Sequence, residues 1–337
     1  MMKALVCKQF GGVEDVELAT VPEPTLADPH AVTIEVEFAS VSHATGLMIA
    51  GQYQRRPPLP FVPGTEAVGR VVACGKAVTR LRPGDRVVAI ADWGCYAERF
   101  TVPEYTVYPV PDSLPPKVAL PIPLSYGTAY CGLVWRCALT PQDTMLVLGA
   151  GAGVGLAAVE IGRQLGATVI ACASTEAKRA DALRRGATHA VAPQDLAAQV
   201  KALTGGRGAD VVVDPVGGDL FAQALRAAAP NARILSIGFA SGSIPQAPVN
   251  LLLVKNLTLH GFFFGQYIGW TPSDERAKHA PALQQVMSTL FQWAAEGKLE
   301  PTVSAVYPIT GLGDALAALE SRKVVGKVAI KIKETET

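Results

Sequence analysis

At roughly 150 residues per domain, a chain of 337 residues has room for about two domains. It is 49% hydrophobic and 18% charged, with a mean hydropathy of +0.26, so it can bury a large core and is not intrinsically disordered. The 30 Lys and Arg against 29 Asp and Glu leave a net charge of +1, which removes any general prior for a nucleic-acid or anionic-membrane binder.

The longest apolar run, Met145 to Val159, is too short and too glycine-rich to span a bilayer. The first ten residues show neither a long apolar stretch nor a small-residue cleavage site. Six scattered cysteines form no C-x-x-C pair, which argues against a disulfide framework and a Cys-rich zinc site. The expectation is a reduced, cytoplasmic, soluble protein.

The first 110 residues read as β-rich. Thr33 to Phe38 alternates, and Ala67 to Ala73 and Arg86 to Ile90 are rich in Val and Ile, with Gly and Pro turns between them. From about Thr128 the pattern changes to strands at Met145 to Leu148, Thr168 to Ala173, Ala209 to Val213, Arg233 to Ile237 and Leu257 to Phe262. Between them lie helices at Val154 to Leu165, Glu176 to Arg185 and Leu220 to Ala228. This alternation predicts a doubly wound parallel sheet of five strands. A long helix is expected from about Asp274 to Gly297, another at Gly313 to Ser321, and strands at Ser304 to Tyr307 and Lys327 to Ile332 that close back on the N-terminal β region.

The stretch Leu146 to Val159 reads LVLGAGAGVGLAAV. Glycines there let the backbone approach a pyrophosphate, and the helix from Val154 would aim its free N–H groups at it. The strict G-x-G-x-x-G spacing is not met, because Val154 and Leu156 stand sixth from Gly149 and Gly151. The turn gains weight from its place at the first strand–helix junction of the array. An NAD site carries Asp or Glu at the end of the second strand. Cys172-Ala173-Ser174 stands there instead, with Lys178 and Arg179 a turn further on. With no carboxylate to repel a 2′-phosphate, the pattern favours NADP(H), Ser174 and Lys178 being the candidate contacts. Arg184 and Arg185 are expected on an exposed helix face.

Together with this turn, several stretches resemble the medium-chain dehydrogenase/reductase superfamily in its zinc-independent quinone oxidoreductase branch. They are Leu59 to Glu66, Pro83 to Val87, Tyr96-Ala97-Glu98, Gly127 to Tyr130, Asp214 to Gly218 and Gly326-Lys327-Val328. The resemblance runs nearly end to end. It implies an α/β fold: a GroES-like β-barrel-type catalytic domain over 1–122, completed by about 266–337, and a Rossmann NADP-binding domain over 123–265, with the active site in the cleft between them. In the zinc enzymes of that superfamily the ligand positions match Ser42 and Thr65 here, neither a competent zinc ligand in the usual sense, and the four-Cys zinc lobe is missing; His43 is expected to be packed or solvent-facing. No metal is therefore expected.

Without a metal to acidify an alcohol, hydride transfer to a polarised C=C or a quinone is the expected chemistry, the resulting oxyanion being held by hydrogen bonds and protonated. Related enoyl thioester reductases carry a proton-donating Tyr in a G-x-Y context similar to Gly51-Gln52-Tyr53, which makes Tyr53 the candidate catalytic residue; its alternative is an apolar pocket lining. Quinone oxidoreductases commonly have Asn and Asp where Ser42 and Thr45 stand, so quinone itself is in doubt as the substrate. Ser42, Thr45, Tyr53 and Thr65 form the expected substrate pocket. Thr128, Gly151, Ala152, Gly153, Val154, Gly238, Phe239, Phe263 and Phe264 join Ser174 and Lys178 as expected cofactor contacts. The aromatic run at Phe262 to Phe264, with Tyr267 and Trp270, reads equally as substrate wall, core or interface. The alternatives are an enoyl thioester reductase, or a crystallin-like or RNA-binding protein that keeps the nucleotide site; the balanced charge disfavours nucleic acid. The family implies a homodimer, for which Val249 to Leu259 is the candidate edge strand.

Overall fold

A computed structural model describes residues 1–151, 153–321 and 324–333. The chain divides into two compact units: Met1–Leu124 with Gly265–Gly297 and Pro301–Thr337, and Ser125–Phe264 with Lys298–Glu300.

In the first unit the strand Ala31–Val41 is central. It pairs antiparallel with Glu66–Cys74, with Arg99–Pro103 and with the late strand Lys327–Lys331. Val303–Pro308 then adds in parallel to Lys327–Lys331, and Arg86–Ile90 extends the other side from Glu66–Cys74. Alternating apolar positions such as Val32, Ile34 and Val36 are fully buried against Val71, Val87 and Ile330. Each such side chain contributes roughly 1.5–3 kcal/mol on leaving water, and the C-terminal strand is thereby a structural part of the N-terminal sheet.

The second unit holds a parallel sheet whose strands we number in chain order: β1 (Thr144–Val147), β2 (Thr168–Cys172), β3 (His189–Val191), β4 (Ala209–Asp214), β5 (Ala228–Ser236) and β6 (Thr258–Gly261). Their order across the sheet is β3-β2-β1-β4-β5-β6, the doubly wound arrangement that reverses direction beside β1 and binds ligands at the carboxyl ends of its strands. β4 is buried at every position, as a strand covered on both faces must be.

Three expectations are corrected. The sheet has six strands, not five: β3 is only three residues long, and the helix Leu196–Leu203 that follows it was also unrecognised. Of the run Val249 to Leu259 only Thr258 and Leu259 belong to the edge strand. Val249–Lys255 is a helix opened by Pro248 and stopped by Asn256 in the left-handed region at φ +50, and the edge strand is β6. Leu251 and Leu252 pack on the core while Leu253 and Val254 face out, a division that a run of apolar residues does not announce. Arg185, finally, is buried rather than on an exposed face. Its guanidinium donates to Glu160 at 2.6 Å and to Asp181 at 2.8 Å, whereas Arg184 remains half exposed.

Candidate active site

The glycine turn is built by close approach. Leu148 N–H donates to the Val213 carbonyl and Ala150 N–H to the Cys172 carbonyl, so the turn is tied to β4 on one side and β2 on the other. Gly149 has φ +61, and a Cβ there would come within 2.8 Å of Val216 Cγ2. At Gly155 a Cβ would lie 2.2 Å from the Gly149 carbonyl oxygen; this is the glycine that lets helix Gly153–Gln164 press against the turn. Gly153, at φ +53, opens that helix with nothing within 4 Å of its Cβ position. Open space in front of a 12-residue helix start suits a pyrophosphate. Val154 is half-buried beside it. Ala152, the remaining expected contact in the turn, lies outside the described residues.

Ser174 is exposed just beyond β2, and Thr175 caps the helix Glu176–Arg184, its hydroxyl accepting from the Lys178 N–H at 3.3 Å. The Lys178 stem crosses Gly151: a Cβ on that glycine would meet Lys178 Cδ at 2.5 Å and Cγ at 2.8 Å. Gly151 and Lys178 thus meet, and Ser174 immediately precedes the Thr175 cap of the helix that carries Lys178. Arg179 does not join them with its charge free, since it donates to the Ala173 carbonyl at 2.9 Å. Glu176, the nearest carboxylate to the end of β2, is exposed.

Beyond β4 and β5 two loops zip together: Ala240 N–H donates to the Pro215 carbonyl, Ser241 to Val216 and Gly218 to Ser243. Gly238 and Phe239 sit here, Phe239 exposed on the surface. Asp214, which sequence reasoning quoted only as part of a motif, is fully buried. Its Oδ1 accepts from the Val216 and Gly217 N–H groups at 2.8 Å each, and its Oδ2 has no hydrogen-bond partner. Burial pushes its carboxyl up, against the pull of those two donors. The phenylalanine run splits: Phe262 and Phe264 turn into the core with ring centroids 6.4 Å apart, and only Phe263 is exposed. Phe264, expected with Phe263 as a cofactor contact, is thus a buried residue next to the exposed one. Thr128 is buried on the helix Gly127–Cys131.

In the first unit Ser42 opens the helix His43–Ile49, with its hydroxyl 3.4 Å from Thr45 Oγ1. Thr45 is buried, 3.2 Å from the Tyr96 hydroxyl, which in turn donates to the Ser40 carbonyl at 2.9 Å. His43 is exposed. Tyr53 follows the helix, its N–H bonded to the Leu47 carbonyl, and is half-buried. Burial pushes the phenol up, opposed by the Gln54 side chain and the Arg55 cation. Thr65 is buried next to Glu66, which is completely buried and receives Ser40 Oγ at 2.8 Å, Leu124 N–H at 2.8 Å and Lys327 Nζ at 3.2 Å. Sequence reasoning quoted Glu66, Tyr96 and Lys327 only as parts of motifs; it did not foresee that Glu66 pairs with Lys327 or that Tyr96 reaches Thr45.

The donors do not fit zinc. Ser42 and Thr65 offer hydroxyls where Cys and His would be needed. Burial pushes all six thiols up, away from the thiolate a metal takes. Among the described residues no group of three or more His, Cys, Asp or Glu converges.

Residues 28–112 match the family model for the alcohol dehydrogenase GroES-like domain, and residues 153–282 that for the zinc-binding dehydrogenase. The latter covers the nucleotide-side sequence and not the region of Ser42 and Thr65. The chain is 34% identical over 334 residues to quinone oxidoreductase-like protein 2 of Bos taurus, covering 98% of this chain and 93% of that one. Among solved structures it is similar to the Escherichia coli quinone oxidoreductase complexed with NADPH (TM-score 0.85, 26% identity, 98% and 99% of the two chains). It is also similar to a protein described as an NAD-dependent alcohol dehydrogenase (TM-score 0.84, 30% identity, 98% and 100%).

Proposed function

The chain belongs to the medium-chain dehydrogenase/reductase superfamily, in its quinone oxidoreductase-like branch, and from that premise we propose that it is an NADPH-dependent, metal-independent reductase of α,β-unsaturated carbonyl compounds or quinones. The observation that carries the coenzyme choice is the Lys178 stem lying over Gly151, with Ser174 exposed just after β2 and no carboxylate closing that strand. Similar structures carry both NADPH and NAD-dependent descriptions, so the choice rests on these residues of the chain itself.

When bound, the reduced coenzyme supplies the hydride. Gly149, Gly151, Gly153 and the start of the following helix hold its pyrophosphate, and Ser174 and Lys178 take the 2′-phosphate. The paired loops at 215–218 and 238–241, with Phe239 and Phe263 exposed, would flank the nicotinamide, and Thr128 would hydrogen-bond the coenzyme. Tyr53 holds a proton at its Oη and donates it to the enolate or hydroquinone oxyanion. Its phenol, raised by burial, stays protonated at neutral pH, which is what a donor needs. Ser42, Thr45 and Thr65 complete the substrate side with hydroxyl groups in place of metal ligands.

Val249, Leu253 and Val254, each about three-quarters exposed beside the edge strand β6, are the proposed contact with a second copy. No helix among the described residues is long and apolar enough to cross a membrane, and six cysteines without a disulfide accord with a cytoplasmic setting.

The test is a parallel assay of NADPH and NADH with benzoquinone, methyl vinyl ketone and a crotonyl thioester, each with and without chelator. NADPH-dependent turnover of at least one acceptor, unchanged by chelator, supports the reading. NADPH binding with no turnover of any acceptor favours the non-catalytic alternative. Tyr53→Phe should lower kcat by about 100-fold with KM nearly unchanged; full activity would remove Tyr53 from the mechanism.

A further inference from the structure

We infer that Asp92 is a positioning residue: its carboxylate, shared between Arg55 and Arg276, fixes the loop that carries Tyr53. The inference rests on the reading of Tyr53 as proton donor.

The near half of that loop is held by its own helix. Gln52 and Tyr53 N–H groups both donate to the Leu47 carbonyl, at 2.8 and 3.0 Å. Gly51 turns at φ +67, where a Cβ would strike the Phe10 ring at 2.8 Å. Arg56 folds back to donate to the Gly51 carbonyl at 2.6 Å. Arg56 thus ties the chain after Tyr53 back to its own turn, and a second restraint acts between the two, on the residue nearer the phenol.

That restraint comes from Arg55. Its Nη1 donates to Asp92 Oδ1 at 3.0 Å, and its guanidinium lies 5.5 Å from the Trp93 ring centroid. Asp92 is in turn gripped by Arg276 Nη2, at 3.0 Å from Oδ1 and 3.1 Å from Oδ2. Arg276 is the fixed end of the chain of contacts. It is 6% exposed, donates from Nε to Asp274 at 2.8 Å, and lies so flat on Gly269 that a Cβ there would come within 2.2 Å of Nε. A buried, multiply bonded guanidinium therefore holds a carboxylate, and the carboxylate holds the arginine two residues after Tyr53.

Two cations converge on one anion. Removing its charge both frees Arg55 and leaves two guanidinium groups facing each other. An ion pair with both side chains about one-quarter exposed adds little to stability on its own. Its geometric effect is larger, because the Arg55 charge also acts on the Tyr53 phenol, so a displaced loop moves both the donor and the charge that tunes it.

The experiment is a double-mutant cycle in the full chain, with methyl vinyl ketone and NADPH as probes. Asp92→Asn should lower kcat by about 10-fold, with KM and the NADPH Kd each within about 2-fold of the parent. In the Tyr53→Phe background it should change kcat by less than about 2-fold, because the group it positions is gone. Asp92→Glu, which keeps the charge, should retain most of the parent kcat. If Asp92→Asn does not fold, Arg276→Lys must show the same dependence on Tyr53. An equal fall in both backgrounds, or no fall in either, overturns the inference. If Tyr53→Phe alone keeps full kcat, the proton-donor reading fails and this one with it; if Tyr53→Phe is impaired while Asp92→Asn is not, this inference alone fails.

Discussion

Replacing Lys178 by Met isolates one charge in the coenzyme corner. The methionine stem is of similar length and still covers Gly151, where Lys178 Cδ now lies 2.5 Å from the position of a Cβ, so packing over the turn is kept. A charged hydrogen bond to a phosphate contributes about 1.5–3 kcal/mol. Lys178 is only half-buried, and water screens a charge in that position, so the lower end applies: about 1.5 kcal/mol, or roughly 10-fold in Kd. NADH lacks the 2′-phosphate and loses nothing. The assay is fluorescence titration of each coenzyme against parent and variant. The NADPH Kd should rise by about 10-fold while the NADH Kd stays within about 2-fold. Equal losses for both coenzymes would mean that Lys178 supports the turn and does not read the phosphate; no loss for either would remove it from the site.

The remaining expectations follow from the same geometry. Ser174→Asp places a carboxylate at the end of β2 and should raise the KM for NADPH by about 10-fold or more while improving NADH; an unchanged KM for NADPH would contradict the assignment. Because burial raises the Tyr53 phenol, kcat should stay flat through neutral pH and fall only above the ordinary phenol value of about 10; a fall near neutrality would exclude the phenol as the donor. The Asp214 carboxyl is raised in the folded state, so the folded protein binds that proton more tightly than the unfolded chain. The stability it contributes is present below the unfolded pKa and is lost as pH rises through the folded one. Asp214→Asn removes this loss, and its melting temperature relative to the parent should therefore climb between acid and neutral pH; a constant difference would refute the linkage. Leu253→Asp should leave a folded monomer by light scattering, and an unchanged oligomer would move the contact elsewhere.

The parallel sheet was legible because its central strands are written as short apolar runs. Val211, Val212 and Val213 and the run Met145 to Leu148 are wholly buried, and Gly or Pro punctuates most of their connections. β3 carries the same signal over only three residues, two of them half-exposed, too few to stand out from a loop. Val249–Lys255 misled for the opposite reason: consecutive apolar residues carry no period, and Pro248 and Asn256 at its ends read equally as turn residues bounding a strand until their conformations are seen. The glycine turn was recognised by composition, but that Gly155 makes the closest approach and that Lys178 crosses Gly151 are contacts between segments, which a linear reading cannot place. Buried charge is harder still. Glu66 with Lys327 is separated by 261 positions, Arg185 from Glu160 by 25 and Arg276 from Asp92 by 184, and each residue taken singly reads as an ordinary solvated side chain.

The central claim is tested most directly by one turnover with NADPH carrying deuterium at the transferred position and methyl vinyl ketone as acceptor, in chelator-treated, metal-free buffer. The account requires the saturated ketone to carry the deuterium on its β-carbon, at the same rate as with the same labelled coenzyme in untreated buffer. Product free of deuterium, or turnover that returns only when zinc is added, would contradict it.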